Sequence, residues 1–99
     1  MSDSEGQQFG RSAELFKALA NPTRLHLLVE LLAQPMCVHD LAQATGASQP
    51  LVSQHLRVLR TARLIAGRRA GRETIYTVTD AHITHIVTDA IAHTNEEKL

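Results

Sequence analysis

Six acidic and histidine side chains near the end of the chain have the chemistry of metal ligands. Imidazole nitrogens and carboxylate oxygens bind zinc, and nickel and cobalt accept the same donors. The same residue types are also common on solvated helix faces, so their spacing has to separate a metal site from a charged surface. They are Asp80, His82, His85, Asp89, His93 and Glu96.

The spacing of His82 and His93 limits the kind of site that can form. In a helix these residues, which are eleven positions apart, lie within about 20° of one face but about 16 Å apart along the axis. Zinc–ligand bonds are only about 2 Å long. A single helix therefore cannot bring both of its ends to one ion.

Two antiparallel copies of this helix could form the site together. A twofold axis through the middle of the helix would place Asp80 and His82 of one subunit beside His93 and Glu96 of the other. Each of the two equivalent sites would then hold two oxygen and two nitrogen donors, the closed tetrahedral shell of a non-catalytic zinc site. An adjoining apolar stripe would pack the seam between the subunits: Ile83, Ile86, Val87, Ala90 and Ile91.

The elements that would position these residues are mainly helical. Apolar periodicity predicts a helix over 9–20, and Asn21-Pro22 predicts the start of a second helix that runs to about residue 33. A short helix over 38–45, a helix over 48–62 capped by Ser48, and a hairpin of strands 64–69 and 73–78 follow. Asp80 caps the last helix, which runs to about residue 95. Residues 1–8 are predicted to be a flexible N-terminal tail and residues 9–99 one domain.

The order of these elements predicts a winged helix-turn-helix. A short helix, a turn that contains Gly46 and a second helix with a polar face make up the helix-turn-helix, and the basic hairpin after it is the wing. The expected fold class is mainly α with a small β-hairpin, forming a dimer through the first and last helices.

The charge distribution indicates a polyanionic partner, although the formal net charge is +0. Residues 41–72 contain six arginines and no acidic residue, whereas all ten acidic residues lie elsewhere in the chain. A basic block inside an otherwise acidic chain is typical of a nucleic-acid surface. A basic face without a partner has the same signature.

The helix that begins after Ser48 is the predicted DNA-reading element. The N-terminal half of such a helix enters the major groove, and four polar side chains could there reach base edges: Gln49, Ser53, Gln54 and His55. Ser48 itself would contact a phosphate at the helix start. Phosphate contacts, which position the protein without reading sequence, are predicted for Arg57, Arg60, Arg68, Arg69 and Arg72. The alternative is an ordinary amphipathic surface helix.

The remaining composition argues against several classes of protein. No apolar run approaches the roughly 20 residues that span a bilayer, and the polar first residues carry no signal-peptide pattern. Cys37 is the only cysteine, so a disulfide within the chain is excluded. A cytoplasmic protein without a membrane partner is expected.

From about Ala13 to Glu96 the chain resembles the ArsR/SmtB family of metal-responsive repressors. Asp80-x-His82, followed after ten residues by His93-x-x-Glu96, is similar to the family's zinc site on the last helix at all four positions. The other segments that carry the resemblance are 15–24 (LFKALANPTR), 48–56 (SQPLVSQHL) and the wing that ends in Ile75-Tyr76.

This resemblance implies a function and a mechanism. The metal-free dimer would bind operator DNA, and zinc at the dimer interface would lower the DNA affinity and derepress metal efflux or sequestration genes. It also implies that His93 uses its free ring nitrogen to bond the backbone carbonyl of Arg63, near the end of the recognition helix. Such a contact would couple the metal to the DNA-reading element.

Several alternatives are left open by the residues. The family's second metal site rests on a Cys-Val-Cys-Asp-Leu box, whereas this chain has Cys37-Val38-His39-Asp40-Leu41, which argues against arsenic, cadmium or lead as the sensed metal. A nickel or cobalt sensor would need more than four ligands, for which His85, Asp89 or Glu97 would have to serve. A metal-independent DNA-binding regulator is a further alternative. An enzyme is not expected, because four protein ligands leave no open position on the metal.

Overall fold

The computed structural model describes residues 3–96, and over this range the chain forms five helices and one β-hairpin. This arrangement confirms the predicted fold class, which is mainly α with a small hairpin. The elements in chain order are α1 (Asp3–Leu19), α2 (Pro22–Ala33), α3 (Val38–Thr45), α4 (Gln49–Thr61), β1 (Ile65–Ala70), β2 (Glu73–Val78) and α5 (Ala81–Glu96). No helix among residues 3–96 is both long enough and apolar enough to cross a bilayer.

The predicted helix starts are confirmed by their caps. The Asn21 side chain accepts a hydrogen bond from the Arg24 backbone N–H at 3.0 Å, and the Ser48 hydroxyl accepts one from Leu51 N–H at 3.3 Å. Asp80 Oδ1 accepts from the backbone N–H groups of His82 and Ile83, at 2.9 and 3.2 Å. Each cap satisfies backbone donors that a helix start leaves without an intrahelical partner.

The first helix is longer than the sequence indicates. Because α1 begins at Asp3, residues 3–8 are helical, and the prediction of a flexible tail over 1–8 is wrong for them; residues 1 and 2 lie outside the described part of the chain. The segment is polar and solvent-exposed where its side chains are described, which is why it resembles a tail. It contains no proline, and an existing helix extends at little cost since each added residue gains one hydrogen bond.

The core is aliphatic and centres on α2 and the inner face of α4. Fully buried side chains from the helices, the turn before β1 and β1 itself meet there, and each leucine or isoleucine contributes about 1.5–3 kcal/mol by leaving water. These residues are Leu27, Leu28, Leu41, Val52, Leu56, Leu59, Leu64, Ile65 and Val87. The apolar face of α4 is thereby fixed against α2, and its polar face is turned outward.

The hairpin is held to the helical body at Tyr76. β1 and β2 pair antiparallel, with Gly67 opposite Tyr76. Met36, in the segment between α2 and α3, exchanges two backbone hydrogen bonds with Tyr76, at 2.9 and 3.2 Å. A Cβ at Gly67 would stand 2.9 Å from Thr74 Cγ2 and 3.2 Å from Tyr76 Cε1, so this strand position has no room for a larger side chain. The wing is therefore anchored at its base.

Candidate nucleic-acid interface and metal-binding helix

The outer face of α4 carries most of the side chains that the sequence predicts to meet DNA. Val52, Leu56 and Leu59 are buried on its inner face. The predicted DNA-contacting residues that are exposed here are Ser48, Gln49, Ser53, Gln54, Arg57 and Arg60. The structure therefore brings these polar residues to one accessible surface of the recognition helix.

Gln49 is held by a neighbouring helix. Its Nε2 lies 3.2 Å from Nδ1 of His39, on α3. Since an amide nitrogen only donates, the imidazole Nδ1 is the acceptor in this contact. The bond joins the two helices of the helix-turn-helix at the surface that the sequence predicts to enter the groove.

His55 is less exposed than the other side chains predicted to read bases. It is half-buried, and its Nδ1 lies 3.4 Å from Nη1 of Arg24. Burial, and after it the positive charge of Arg24, lowers the pKa of His55 below its usual value. Because a guanidinium only donates hydrogen bonds, the contact requires an unprotonated Nδ1. In the neutral ring the proton then stands on Nε2.

Arg24 makes contacts to the recognition helix that the sequence did not predict. Besides facing His55, it donates from Nε to the carbonyl of Ala18 at 2.6 Å and from Nη2 to that of Lys17 at 3.4 Å. One guanidinium thus joins the C-terminal end of α1 to the middle of the recognition helix. Its position after the Asn21-Pro22 helix start was visible in the sequence, but its partners lie on other helices.

A cleft of about 380 Å³ separates α4 from the wing. Two guanidinium groups, Arg57 and Arg60, and the aromatic ring of Tyr76 line it together with Ser53, Leu56 and Thr61. Paired guanidiniums beside hydroxyl groups have the chemistry to hold a phosphodiester. Tyr76 was not among the predicted site residues.

The wing presents its arginines on different faces. Arg68, Arg69 and Arg72 are exposed, and successive strand residues point to opposite sides of a hairpin. Arg68 and Arg69, paired with Ile75 and Thr74, therefore leave the hairpin on opposite faces. Arg72 lies beside Gly71, whose φ of 67° makes the tight turn.

The predicted metal ligands lie at the two ends of α5. At its start, Asp80 Oδ1 is 3.5 Å from His82 Nδ1, with 54% and 91% of the side chains exposed. His93 and Glu96 are exposed at the other end. Among residues 3–96, no three His, Cys, Asp or Glu side chains come together in one chain as a metal site. A four-ligand site on this helix would need a second chain.

The carbonyl of Arg63 accepts a hydrogen bond from Thr79, which lies just before α5, the helix that carries the predicted metal ligands. Arg63 follows α4 with a φ of 63°, and its carbonyl oxygen lies 3.0 Å from the Thr79 hydroxyl. A carbonyl has two lone pairs, so this bond leaves capacity for a second donor. The contact from His93 to Arg63 stays a prediction.

The fold and the exposed polar face together define a winged helix-turn-helix DNA-binding domain. The family model described as "Bacterial regulatory protein, arsR family" matches residues 21–66. The chain belongs to the ArsR/SmtB family of bacterial transcriptional regulators.

Individual relatives agree with this assignment. The transcriptional repressor SmtB of Mycobacterium tuberculosis is 44% identical over 88 residues, which cover 89% of this chain and 65% of SmtB. The regulator NmtR of the same organism is 42% identical over 89 residues, covering 90% of this chain and 74% of NmtR. The chain thus spans slightly less than two thirds of the length of SmtB.

A solved structure has the same architecture. The homodimeric winged helix-turn-helix DNA-binding domain from Mycobacterium bovis superimposes with a TM-score of 0.89 at 27% identity, covering 97% of this chain and 89% of that one.

Proposed function

We propose that this chain is a metal-sensing repressor whose metal-free dimer binds operator DNA and whose affinity for DNA falls when zinc binds at the dimer interface. The observation that carries the proposal is the pair of ligand groups at the two ends of α5. Asp80 and His82 stand together at one end, exposed to solvent, and His93 and Glu96 at the other. Antiparallel pairing of two such helices would unite the two groups.

The pair at the start of α5 fits a metal ion in its donor chemistry. Two ligand atoms bound tetrahedrally to one zinc, each at about 2 Å, lie about 3.3 Å from one another. Asp80 Oδ1 and His82 Nδ1 are 3.5 Å apart and accessible. Asp80 Oδ1 also caps the helix, so an ion held by this pair would compete with the backbone donors for that oxygen.

Apolar surface on α1 supports a dimer. Phe9 and Phe16 are 58% and 60% exposed, although large aromatic side chains contribute most when buried. A groove between α2 and α5, lined by Val29, Leu32 and Ile91 among others, adds further uncovered apolar surface. Such surface marks an interaction site in small domains, and the M. bovis relative is a homodimer.

The DNA side of the proposal rests on α4 and the wing. Gln49, Ser53 and Gln54 would face the major groove, whereas Ser48 and the arginines beside them would hold phosphates. His55 would act mainly by packing and through its bond to Arg24. Two half-sites of a duplex lie about 34–36 Å apart, so the dimer must hold two copies of α4 at that distance.

The metal would be held by Asp80 and His82 of one subunit with His93 and Glu96 of the other. When bound, zinc supplies a cross-link of fixed length between the two copies of α5. Since α5 packs on α2 and β2, its placement in the dimer sets the distance between the two recognition helices. A ligand that favours a distance unsuited to DNA lowers the DNA affinity through its preference for that state.

A complementation experiment tests whether the site spans two subunits. Chains with His82→Ala and chains with His93→Ala each form dimers in which both sites lack a ligand. A heterodimer of the two has one complete site, built from His82 of one chain and His93 of the other. After random exchange about half of the dimers are heterodimers, each with one of its two sites complete, so we expect the mixture to recover about a quarter of the wild-type zinc stoichiometry at the wild-type affinity. A mixture that binds no more zinc than its components would overturn the cross-subunit site.

The identity of the metal can be read from a cobalt-substituted sample. Tetrahedral coordination by four ligands gives an intense visible spectrum, whereas six-coordinate cobalt absorbs weakly. We expect the tetrahedral spectrum, and we expect it to survive His85→Ala and Asp89→Ala. An octahedral spectrum that is lost in either variant would favour the nickel or cobalt sensor instead.

A further inference from the structure

Thr79 joins the end of the recognition helix to the start of the proposed metal site. It lies between β2, which ends at Val78, and α5, which begins at Ala81. Its backbone N–H donates to the carbonyl of Leu64 at 3.1 Å. Its hydroxyl lies 3.0 Å from the Arg63 carbonyl and 3.2 Å from that of Leu64. A hydroxyl has one proton to donate, so the two carbonyls share it.

The backbone that receives these bonds is in an unusual conformation. Arg63 has a φ of 63°, a left-handed conformation that costs a non-glycine residue free energy and persists only where its surroundings hold it. Arg63 N–H bonds the Arg60 carbonyl at 3.0 Å and Leu64 N–H bonds that of Leu59 at 2.9 Å, so this turn is continuous with the last turn of α4. The Thr79 hydroxyl holds the same turn from the other side.

The other neighbour of Thr79 is a proposed metal ligand. Asp80 follows it directly, and in the metal-free arrangement Asp80 Oδ1 accepts from the N–H groups of His82 and Ile83. An ion bound by this carboxylate would compete with these donors for Oδ1 and so adjust its orientation. That adjustment is one peptide bond away from Thr79.

We propose that the Thr79 hydroxyl is a positioning contact that couples metal binding at Asp80 and His82 to the C-terminal end of α4. This inference rests on the proposed function. The route is short and continuous: the carboxylate of Asp80, the Thr79 backbone, its hydroxyl, and the Arg63 carbonyl at the end of the recognition helix. A neutral hydrogen bond that differs between two states changes their equilibrium by about 2- to 12-fold, which is the size of effect expected.

The test compares three variants by the factor by which zinc weakens their binding to DNA, expressed as a ratio. The DNA probe is the duplex that the metal-free wild-type chain enriches from a randomised pool. The ratio is the Kd with zinc divided by the Kd with a chelator. Thr79→Val keeps the shape and removes the hydroxyl, Thr79→Ser keeps the hydroxyl, and Thr88→Val is the matched control, because the Thr88 hydroxyl bonds only carbonyls of its own helix among its described contacts.

We expect Thr79→Val to bind metal-free DNA and zinc within about threefold of wild type, while its ratio falls at least about threefold. Thr79→Ser and Thr88→Val should keep the wild-type ratio. A valine variant with the full wild-type ratio would overturn this inference and leave the proposed function standing. A wild-type chain whose DNA affinity ignores zinc would overturn the proposed function, and the inference with it.

If Thr79→Val fails to fold, amide hydrogen exchange of the wild-type chain tests the proposed coupling instead. Zinc added to the wild-type chain without DNA is expected to change the amide hydrogen exchange of residues 63–65 and 79. The amides in the middle of α2 serve as the internal reference. Exchange at 63–65 that is unaffected by saturating zinc would overturn the coupling.

Discussion

The guanidinium of Arg24 and the imidazole of His55 meet at 3.4 Å, across 31 positions of sequence, between α2 and the recognition helix. The contact needs a neutral imidazole whose Nδ1 accepts. Burial and the nearby positive charge both favour that form, and the pKa of His55 is lowered accordingly. The recognition helix is thus tied to the first two helices by a contact that is sensitive to protonation.

The first expected consequence concerns stability and pH. Because the pKa of His55 is lower in the folded state than in the unfolded chain, where it is about 6.5, the unfolded state binds more protons below that pH. The free energy of unfolding should therefore fall as the pH drops through about 6.5. His55→Gln should show a shallower decline in urea titrations between pH 7.5 and 5.5, whereas His85→Gln, at an exposed position on α5, should keep the wild-type slope. Identical slopes in all three chains would contradict this account of His55.

The second consequence concerns Arg24 itself. Lysine keeps the charge but loses the planar set of donors that reaches Ala18, Lys17 and His55 together. We expect Arg24→Lys to lower the free energy of unfolding by about 1–2 kcal/mol, measured by urea denaturation. Arg11→Lys, at an exposed position on α1, should stay within about 0.5 kcal/mol of wild type. Equal stability of the two variants would show that the Arg24 contacts contribute little.

Sequence alone predicts local features of this fold well and non-local ones poorly. The caps at Asn21, Ser48 and Asp80 follow from a residue type and its immediate neighbours, and all three are observed. The Arg24–His55 contact depends on how α2 and α4 pack, and the sequence around each residue does not reveal that packing. The helical start of α1 was missed because polar composition describes exposure and not backbone conformation.

In the candidate site, too, the sequence predicts the local features and misses those that depend on tertiary packing. The exposed face of α4 follows from helical periodicity, and the structure agrees with it except at the half-buried His55. The cleft residue Tyr76 was missed, because its place beside Arg57 and Arg60 depends on how the wing packs against α4. The predicted metal ligands fall at both ends of α5, and the partner that would complete each set is a second chain.

The third consequence concerns salt. Each lost phosphate contact reduces the slope of log K against log salt by about 0.9, so a residue present twice in a dimer should change it by about 2. We expect this for Arg60→Gln, in the cleft between α4 and the wing, measured by fluorescence anisotropy. Arg11→Gln should leave the slope unchanged. Gln54→Ala should weaken discrimination between DNA sequences without altering the slope. If Gln54→Ala changed the slope and Arg60→Gln changed the discrimination, Gln54 would be the phosphate contact and Arg60 the base contact.

The fourth consequence concerns assembly. Phe16 exposes 60% of its surface on α1, and a charge placed in a buried seam has no partner there. Phe16→Glu should weaken the dimer at least about tenfold in sedimentation experiments, while the helix content of the monomer is retained. Arg11→Glu, on the same helix, is the control and should remain dimeric. A Phe16→Glu chain that dimerises like wild type would place the seam elsewhere.

The most direct measurement is the DNA affinity of the wild-type dimer with and without zinc. A labelled duplex enriched by the metal-free chain is titrated with protein in a chelating buffer and again with one zinc per chain, and binding is followed by anisotropy. The account predicts that zinc weakens binding at least about tenfold and that His93→Ala, with intact metal-free binding, shows no such loss. A wild-type affinity that stays the same within about twofold would contradict it.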